Sequence, residues 1–267
     1  MKISVIITTY NKPDYLARVL VSYLCQDDPE GFEVVVADDG SDQSTRDVIE
    51  AFEAPFGVEH VWQEDRGFRK TRILNRAIQR SSGDYLIFTD DDCIARRDFV
   101  ATHRRLARKR YFLSGGVEYL TDEVGRKITA DVIRSQQAFR PEWLSARGLR
   151  LGLRSKITKA PWLCAVLDRI SPTRPSFNGH NSSAWKADIE AVNGFDERLG
   201  YGGLDRELGE RLVNNGVRGL RVRYRTQCLH LNHARPYRNE AIVLNNAAMR
   251  RETRRGRKTW TDFGLTS

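Results

Sequence analysis

Four short apolar runs alternate with stretches of helical spacing through the first third of the chain, and that alternation leaves few architectures open. The runs are Lys2 to Thr9 (KISVIITT), Phe32 to Ala37, Val58 to Trp62 and Tyr85 to Thr89 (YLIFT). Between them Leu16, Val19, Leu20, Tyr23 and Leu24 recur on one helical face. Ser44 to Phe52 reads as a second helix, and Lys70 to Arg80 as a third with Ile73, Leu74, Ala77 and Ile78 turned inward. Strands separated by helices pair in parallel, and the nearly all-apolar YLIFT is the kind buried on both faces of such a sheet. Ligands of these sheets bind beyond the carboxyl ends of the strands. Three of those ends carry Thr8-Thr9-Tyr10-Asn11, Asp38-Asp39 and Asp90-Asp91-Asp92, so polar groups distant in sequence are expected in one crevice.

Beyond residue 125 the periodicity weakens, and the stretch to Arg174 is read as helical from its scattered apolar residues. Order returns at Phe177, with a loop (FNGHNSS), a glycine-rich turn, a helix from about Asp205 to Val213 and a strand from Val217 to Tyr224. A chain of 267 residues with 40% apolar content buries a core of its own. The expected division is 1–120 for ligand binding and 121–267 for the opposite wall of one domain.

The net charge of +9 is uneven: Arg126 to Lys159 holds nine basic residues (Arg126, Lys127, Arg134, Arg140, Arg147, Arg150, Arg154, Lys156, Lys159) against Asp131 and Glu142. A basic surface attracts phosphate in any form, and it also serves simply as a solvated face. The alternative it raises is a nucleic-acid- or anionic-surface-binding α/β protein without catalytic activity, but no recognition-helix or aromatic-interleaved motif accompanies it. Cys25, Cys93, Cys164 and Cys228 form no CxxC pair and are expected reduced and mostly buried. No run reaches the roughly 18 apolar residues of a membrane span, and the start lacks a signal-peptide core, so the expected address is cytoplasmic, with peripheral contact at the inner membrane face.

Three adjacent carboxylates at a strand end repel one another unless a cation or an array of donors offsets them. On an extended chain Asp90 and Asp92 point to one side and Asp91 to the other, a pair suited to magnesium or manganese. A solvated acidic turn, or a cap for a helix at Asp98, is the plainer reading. Asp205 follows Gly202-Gly203 at a helix start, where the helix dipole keeps a carboxylate ionised and able to accept a proton; a helix cap is the plainer reading there. His230 and His233 would tilt a carboxylate site toward manganese. Arg66, Arg69, Lys70 and Arg72, before the third helix, could meet a diphosphate.

Together these segments resemble family 2 glycosyltransferases of the GT-A fold. VIITTYNKPDYL resembles the first strand and nucleotide loop, VVVADDGSDQST the second, DRGFRKTRILNRAI the helix before the metal strand, and YLIFTDDDC the DxD motif. NGFDERLGYGGLDRELGERL resembles the C-terminal signature of bacterial chondroitin-type polymerases and galactosyltransferases. The chain departs from the pattern at Leu204 and Arg206, where acidic residues are usual.

The resemblance implies a Rossmann-like, mostly parallel sheet with a C-terminal acceptor-side lobe, and inverting transfer of a hexosyl or N-acetylhexosaminyl group. The donor is a nucleotide-sugar, expected as a UDP-sugar. The acceptor is a saccharide or lipid-linked glycan of cell-surface polysaccharide or lipopolysaccharide synthesis. Thr9, Tyr10, Asn11, Asp38 and Asp39 would surround base and ribose, Asp90 the ribose, and Asp92 the diphosphate through Mn2+ or Mg2+, with His233 as a further metal ligand. Arg72, Asp91, Gly203 and Asn181 complete the donor set, and Asp205 would be the catalytic base.

Overall fold

The computed structural model describes residues 1–152, 155–157, 160–234 and 239–266; Arg154 and Lys159 of the basic run lie outside them. The strands β1 (Ile3–Thr9), β2 (Glu33–Asp38), β3 (Val58–Trp62) and β4 (Tyr85–Asp90) are joined by α1 (Pro13–Leu24), α2 (Gln43–Glu50) and α3 (Lys70–Arg80), as the apolar spacing predicts. Pro13 opens α1, where its missing N–H costs nothing. Next come β5 (Cys93–Ala95), α4 (Phe99–Leu106), β6 (Tyr111–Ser114) and β7 (Gly116–Tyr119). The expected helical stretch is broken into α5 (Asp122–Arg126), α6 (Ala130–Arg134), a 3-10 turn at Gln137–Phe139, α7 (Pro141–Ser145) and α8 (Pro161–Ile170). The remainder is β8 (Ser182–Trp185), α9 (Lys186–Glu190), α10 (Leu204–Asn214), β9 (Arg218–Arg221), β10 (Gln227–His230) and α11 (Glu240–Arg255).

A seven-stranded sheet runs in the order β3-β2-β1-β4-β8-β6-β9. It is mostly parallel, with β8 antiparallel to both neighbours. Both faces are buried, and the period of two divides the strands between two cores. Ile3, Val5 and Ile7 of β1, Val34 and Val36 of β2, and Tyr85 and Ile87 of β4 pack into one; Ile6, Val35, Ala37, Leu86 and Phe88 pack into the other. Register then aligns the strand ends, with Thr9 beside Asp38 and Thr8 beside Asp90.

Strand β8 falls within what reads as a loop, because its sequence, SSAW, carries no apolar alternation. Its hydroxyls are bonded internally instead: Ser183 Oγ lies 2.8 Å from Tyr85 Oη and 2.7 Å from His103 Nδ1, and Ser182 Oγ accepts from the Asn178 amide at 2.7 Å. The strand expected over 217–224 is reduced to β9, and β10 was not foreseen. β10 forms a second sheet, β5-β10-β7. The four cysteines are free, three of them buried and Cys25 half-buried.

Helix α10 is anchored by a buried ion pair one turn beyond its start. The Glu207 and Arg211 side chains are 3% and 1% exposed and 2.8 Å apart. Arg211 also donates to the carbonyls of Val192 and Gly194, and Thr253 Oγ1 of α11 donates to Glu207 at 3.0 Å. Removing one partner leaves the other charge buried alone. Glu207→Ala is therefore expected to destabilise the fold by roughly 3–5 kcal/mol, seen as a lower urea midpoint at unchanged slope.

Candidate active site

The ends of β1 and β4, the start of α10 and the loop after β10 surround a cleft of about 870 Å³. Thr9, Tyr10, Asp39, Asp90, Asp91, Asp92, Gly203, Asp205 and His233 of the expected set line it.

The aspartates part ways at the strand end. Asp90 closes β4 and accepts from Thr8 Oγ1 at 2.6 Å and Lys70 Nζ at 2.5 Å. Asp91 turns back to Thr9 Oγ1, 2.8 Å away. Asp92 faces His233 Nε2 at 2.8 Å, His230 Nε2 at 3.4 Å and Lys12 Nζ at 3.1 Å. Within the protein, two lysines and two imidazoles thus offset the acidic run. Lys12 was not singled out in the sequence, and Lys70 only as a phosphate contact; a lysine in the first strand's loop and another opening the helix before the acidic strand were the available signals. Burial pushes the Asp91 carboxyl up to about 7, against the pull of Lys12. Asp92 is buried too, yet the hydrogen bond from His233 and the charges of His230 and Lys12 hold it far below the usual carboxylate range.

The histidines arrive through the second sheet. β10 pairs antiparallel with β5, setting His230 opposite Cys93, and the Leu231 amide donates to the Asp92 carbonyl at 2.8 Å. The two rings stack with centroids 5.6 Å apart and planes 16° from parallel. Asp92, His230 and His233 offer three ligand atoms all within 4.8 Å of one another. His233 Nδ1 lies 2.6 Å from the Ala234 carbonyl, which requires a proton on Nδ1, so Nε2 is the nitrogen aimed at Asp92. A carboxylate with two imidazole Nε2 atoms is a donor set suited to a divalent transition ion.

Asp205 is the second position of α10. Gly203 is the helix cap, its φ of 90° and the 103° of Gly202 being left-handed values that glycine adopts without strain. Asp205 is therefore not the cap, and its Oδ1 is cut off from solvent with no hydrogen-bond partner among the described residues. Burial pushes this carboxyl up to about 6, Lys70 opposing and Asp90 reinforcing the rise, so it is still ionised at neutral pH. A Cβ added at Gly179 would stand 2.8 Å from Asp205 Oδ1. Gly179→Ala is expected to displace the carboxylate and lower kcat about tenfold or more, measured with thermal stability as control.

Four expected site residues are not brought to the cleft. Asp38 is wholly buried; its carboxylate accepts from the Gly40 and Ser41 amides and lies 2.9 Å from His60 Nε2, so it shapes its own loop. Asn11 accepts from the Asp42 amide at 2.8 Å. Asn181, also fully buried, accepts from His103 at 3.0 Å and donates to the Gly116 carbonyl at 2.7 Å. Arg72 is an exposed residue of α3 outside the lining. All four lie outside the cleft lining, at loop, strand or surface positions. The cleft also takes in residues not chosen from the sequence: Tyr119, whose ring lies 5.0 Å from His230, and Phe68 edge-on to Tyr201 at 5.9 Å. Scattered aromatics carry no spacing signal.

Residues 4–156 match Glycosyl transferase family 2. The chain belongs to that family. Residues 169–234 of this family 2 chain match the N-terminal domain of galactosyltransferase. It is 34% identical over 232 residues to validoxylamine A glucosyltransferase of Streptomyces hygroscopicus subsp. limoneus, covering 80% of this chain and 48% of that one. It is 26% identical to chondroitin synthase of Escherichia coli over 230 residues, 80% of this chain and 32% of the relative. The chain thus spans about half the length, or less, of these relatives. Among solved structures, the mannosyltransferase PcManGT from Pyrobaculum calidifontis, in complex with GDP-Man and Mn2+, superposes with a TM-score of 0.59 at 20% identity, covering 96% of this chain and 62% of that one. S. aureus TarS 1-349 in complex with UDP-GlcNAc gives 0.60 at 18%, covering 89% and 60%. These likenesses establish a GT-A fold for the family 2 chain.

Proposed function

We propose that the chain transfers a sugar from a nucleotide donor, a UDP-sugar in our reading, to a hydroxyl of a saccharide or lipid-linked glycan, with inversion at the anomeric carbon. The observation that carries the reading is one cleft holding both a buried carboxylate, Asp205, whose Oδ1 has no side-chain partner among the described residues, and a cation-ready cluster, Asp92, His230 and His233. Complexes of structural relatives with UDP-GlcNAc and with GDP-Man and Mn2+ support a nucleotide-sugar and a divalent ion.

Asp205 takes the proton of the attacking hydroxyl as the new C–O bond forms and the bond to the donor phosphate breaks. A carboxyl near 6 is ionised at neutral pH and is a stronger base than a free aspartate. Asp92, His230 and His233 would hold a divalent ion, whose positive charge would favour departure of the diphosphate. Lys70 neutralises Asp90, and Thr9, Tyr10 and Asp39 form the wall for the nucleoside. Asp39 is fixed by Gln63 Nε2 at 2.5 Å and the Arg69 amide at 2.8 Å.

A melting-temperature panel of UDP-, GDP- and CDP-sugars with and without manganese tests the donor class. A bound donor at 100 times its Kd stabilises by about 2.7 kcal/mol. UDP-sugars are expected to shift the transition only with the metal; absence of any nucleotide effect defeats the reading.

A further inference from the structure

Helix α8 is amphipathic in the wrong sense for a surface helix. Cys164 and Asp168, one turn apart, face inward and are buried. Asp168 is held there by the Tyr224 amide at 2.9 Å and Arg225 Nε at 2.8 Å, while Arg221 donates to the carbonyls of Asp168, Arg169, Ser171 and Thr173 at the helix end. The opposite face is apolar: Trp162, Val166 and Ile170 recur every four residues and are 74%, 45% and 67% exposed. A packing helix would turn these three inward.

Charge along this part of the chain selects the partner. From Arg140 to Arg174 the sequence holds eight basic residues and two acidic ones, and one of the two, Asp168, is consumed internally. Arg169 and Arg174, both exposed, border the stripe. Ten residues of helix make a stripe about 15 Å long. Three side chains along a stripe of that length cover only a small part of the roughly 800 Å² per partner that a stable protein interface buries. Shallow insertion of a tryptophan and two aliphatic side chains beneath a border of arginines matches a headgroup layer carrying negative charge.

We propose that α8 is a membrane-surface docking helix that seats this chain on anionic lipid through Trp162, Val166 and Ile170. Strand β7 runs from Gly116, against Arg223 and Lys156 beside this helix's support, to Tyr119 in the cleft wall, roughly 10 Å away.

Flotation of the chain with phosphatidylcholine vesicles, and with vesicles of phosphatidylcholine and phosphatidylglycerol, tests this. Binding is expected only to the anionic vesicles and should weaken with salt. The variant W162S/V166S/I170S is expected to lose partitioning about tenfold or more, and R169E/R174E likewise. These positions are exposed, so melting should match the parent; if the triple variant melts early, Trp162→Ser alone is compared. Equal binding to neutral vesicles, no binding at all, or undiminished binding by the triple variant would overturn the proposal. So would self-association, abolished by the same substitutions, in place of vesicle binding. No sugar donor is involved, so this test can fail while the transferase reading stands.

Discussion

Asp205→Asn is expected to lower kcat by about 10²–10⁴-fold while leaving metal-dependent nucleotide binding intact. Asparagine keeps the shape of the side chain and cannot take a proton, so only the step that needs a base is lost. The parent enzyme should lose kcat/KM as pH falls through about 6, because protonated Asp205 no longer accepts the hydroxyl proton. Stability should move the opposite way. The folded-state value lies above the 3.8 of a free carboxyl, so the folded protein holds this proton more tightly than the unfolded chain. That contribution is fully present below about pH 4 and is lost as pH rises through about 6. Above pH 6 an ionised, poorly solvated carboxylate weighs against folding, and Asp205→Asn removes it. The variant should therefore be more stable than the parent at pH 8 by about 1–3 kcal/mol, with the advantage fading near pH 4. Such a loss of activity with a gain in stability marks a residue kept for chemistry. Full turnover in the variant, or lower stability at pH 8, would refute the assignment.

Asp92→Ala should act on binding instead. Asp92 is the group that Lys12, His230 and His233 all face, and it sits at the centre of their charges. Without it the two imidazoles keep only each other as ligand partners, and manganese-dependent affinity for the nucleotide should fall on the order of 100-fold, read by isothermal titration. The nucleotide-induced melting shift should become independent of manganese. Asp38→Asn is the informative contrast. Asp38 also stands in an acidic tip but serves its own loop and His60, so Asp38→Asn should change stability and leave the metal dependence as it is. Equal manganese dependence in Asp92→Ala and the parent would remove Asp92 from the cation site.

The frame of this fold was legible because burial on both faces leaves a periodic trace. β1, β2 and β4 are apolar through their middles, the helices between them show one inward face, and the acidic tips fall where the register ends. β8 and β10 left no such trace. Their polar side chains are satisfied by distant partners, as Ser183 is by Tyr85 and His103, and hydropathy does not register a hydrogen bond across about a hundred residues. The same blindness misplaced Asn181 and Asp38. A polar residue beside a site and a polar residue holding a loop look alike until their partners are known.

Composition and order alone determined a parallel sheet with carboxylates gathered past its strand ends, since strand period, helical period and turn residues are local properties of the chain. Whether a given carboxylate faces the cleft or its own loop was decided only by tertiary structure. So were the pairing of Lys12 and Lys70 with the aspartates, the delivery of two histidines to Asp92 by β10, and the rise of Asp205 toward neutrality. Each depends on which charges and dipoles stand within a few ångströms in a poorly solvated place, and packing sets that distance.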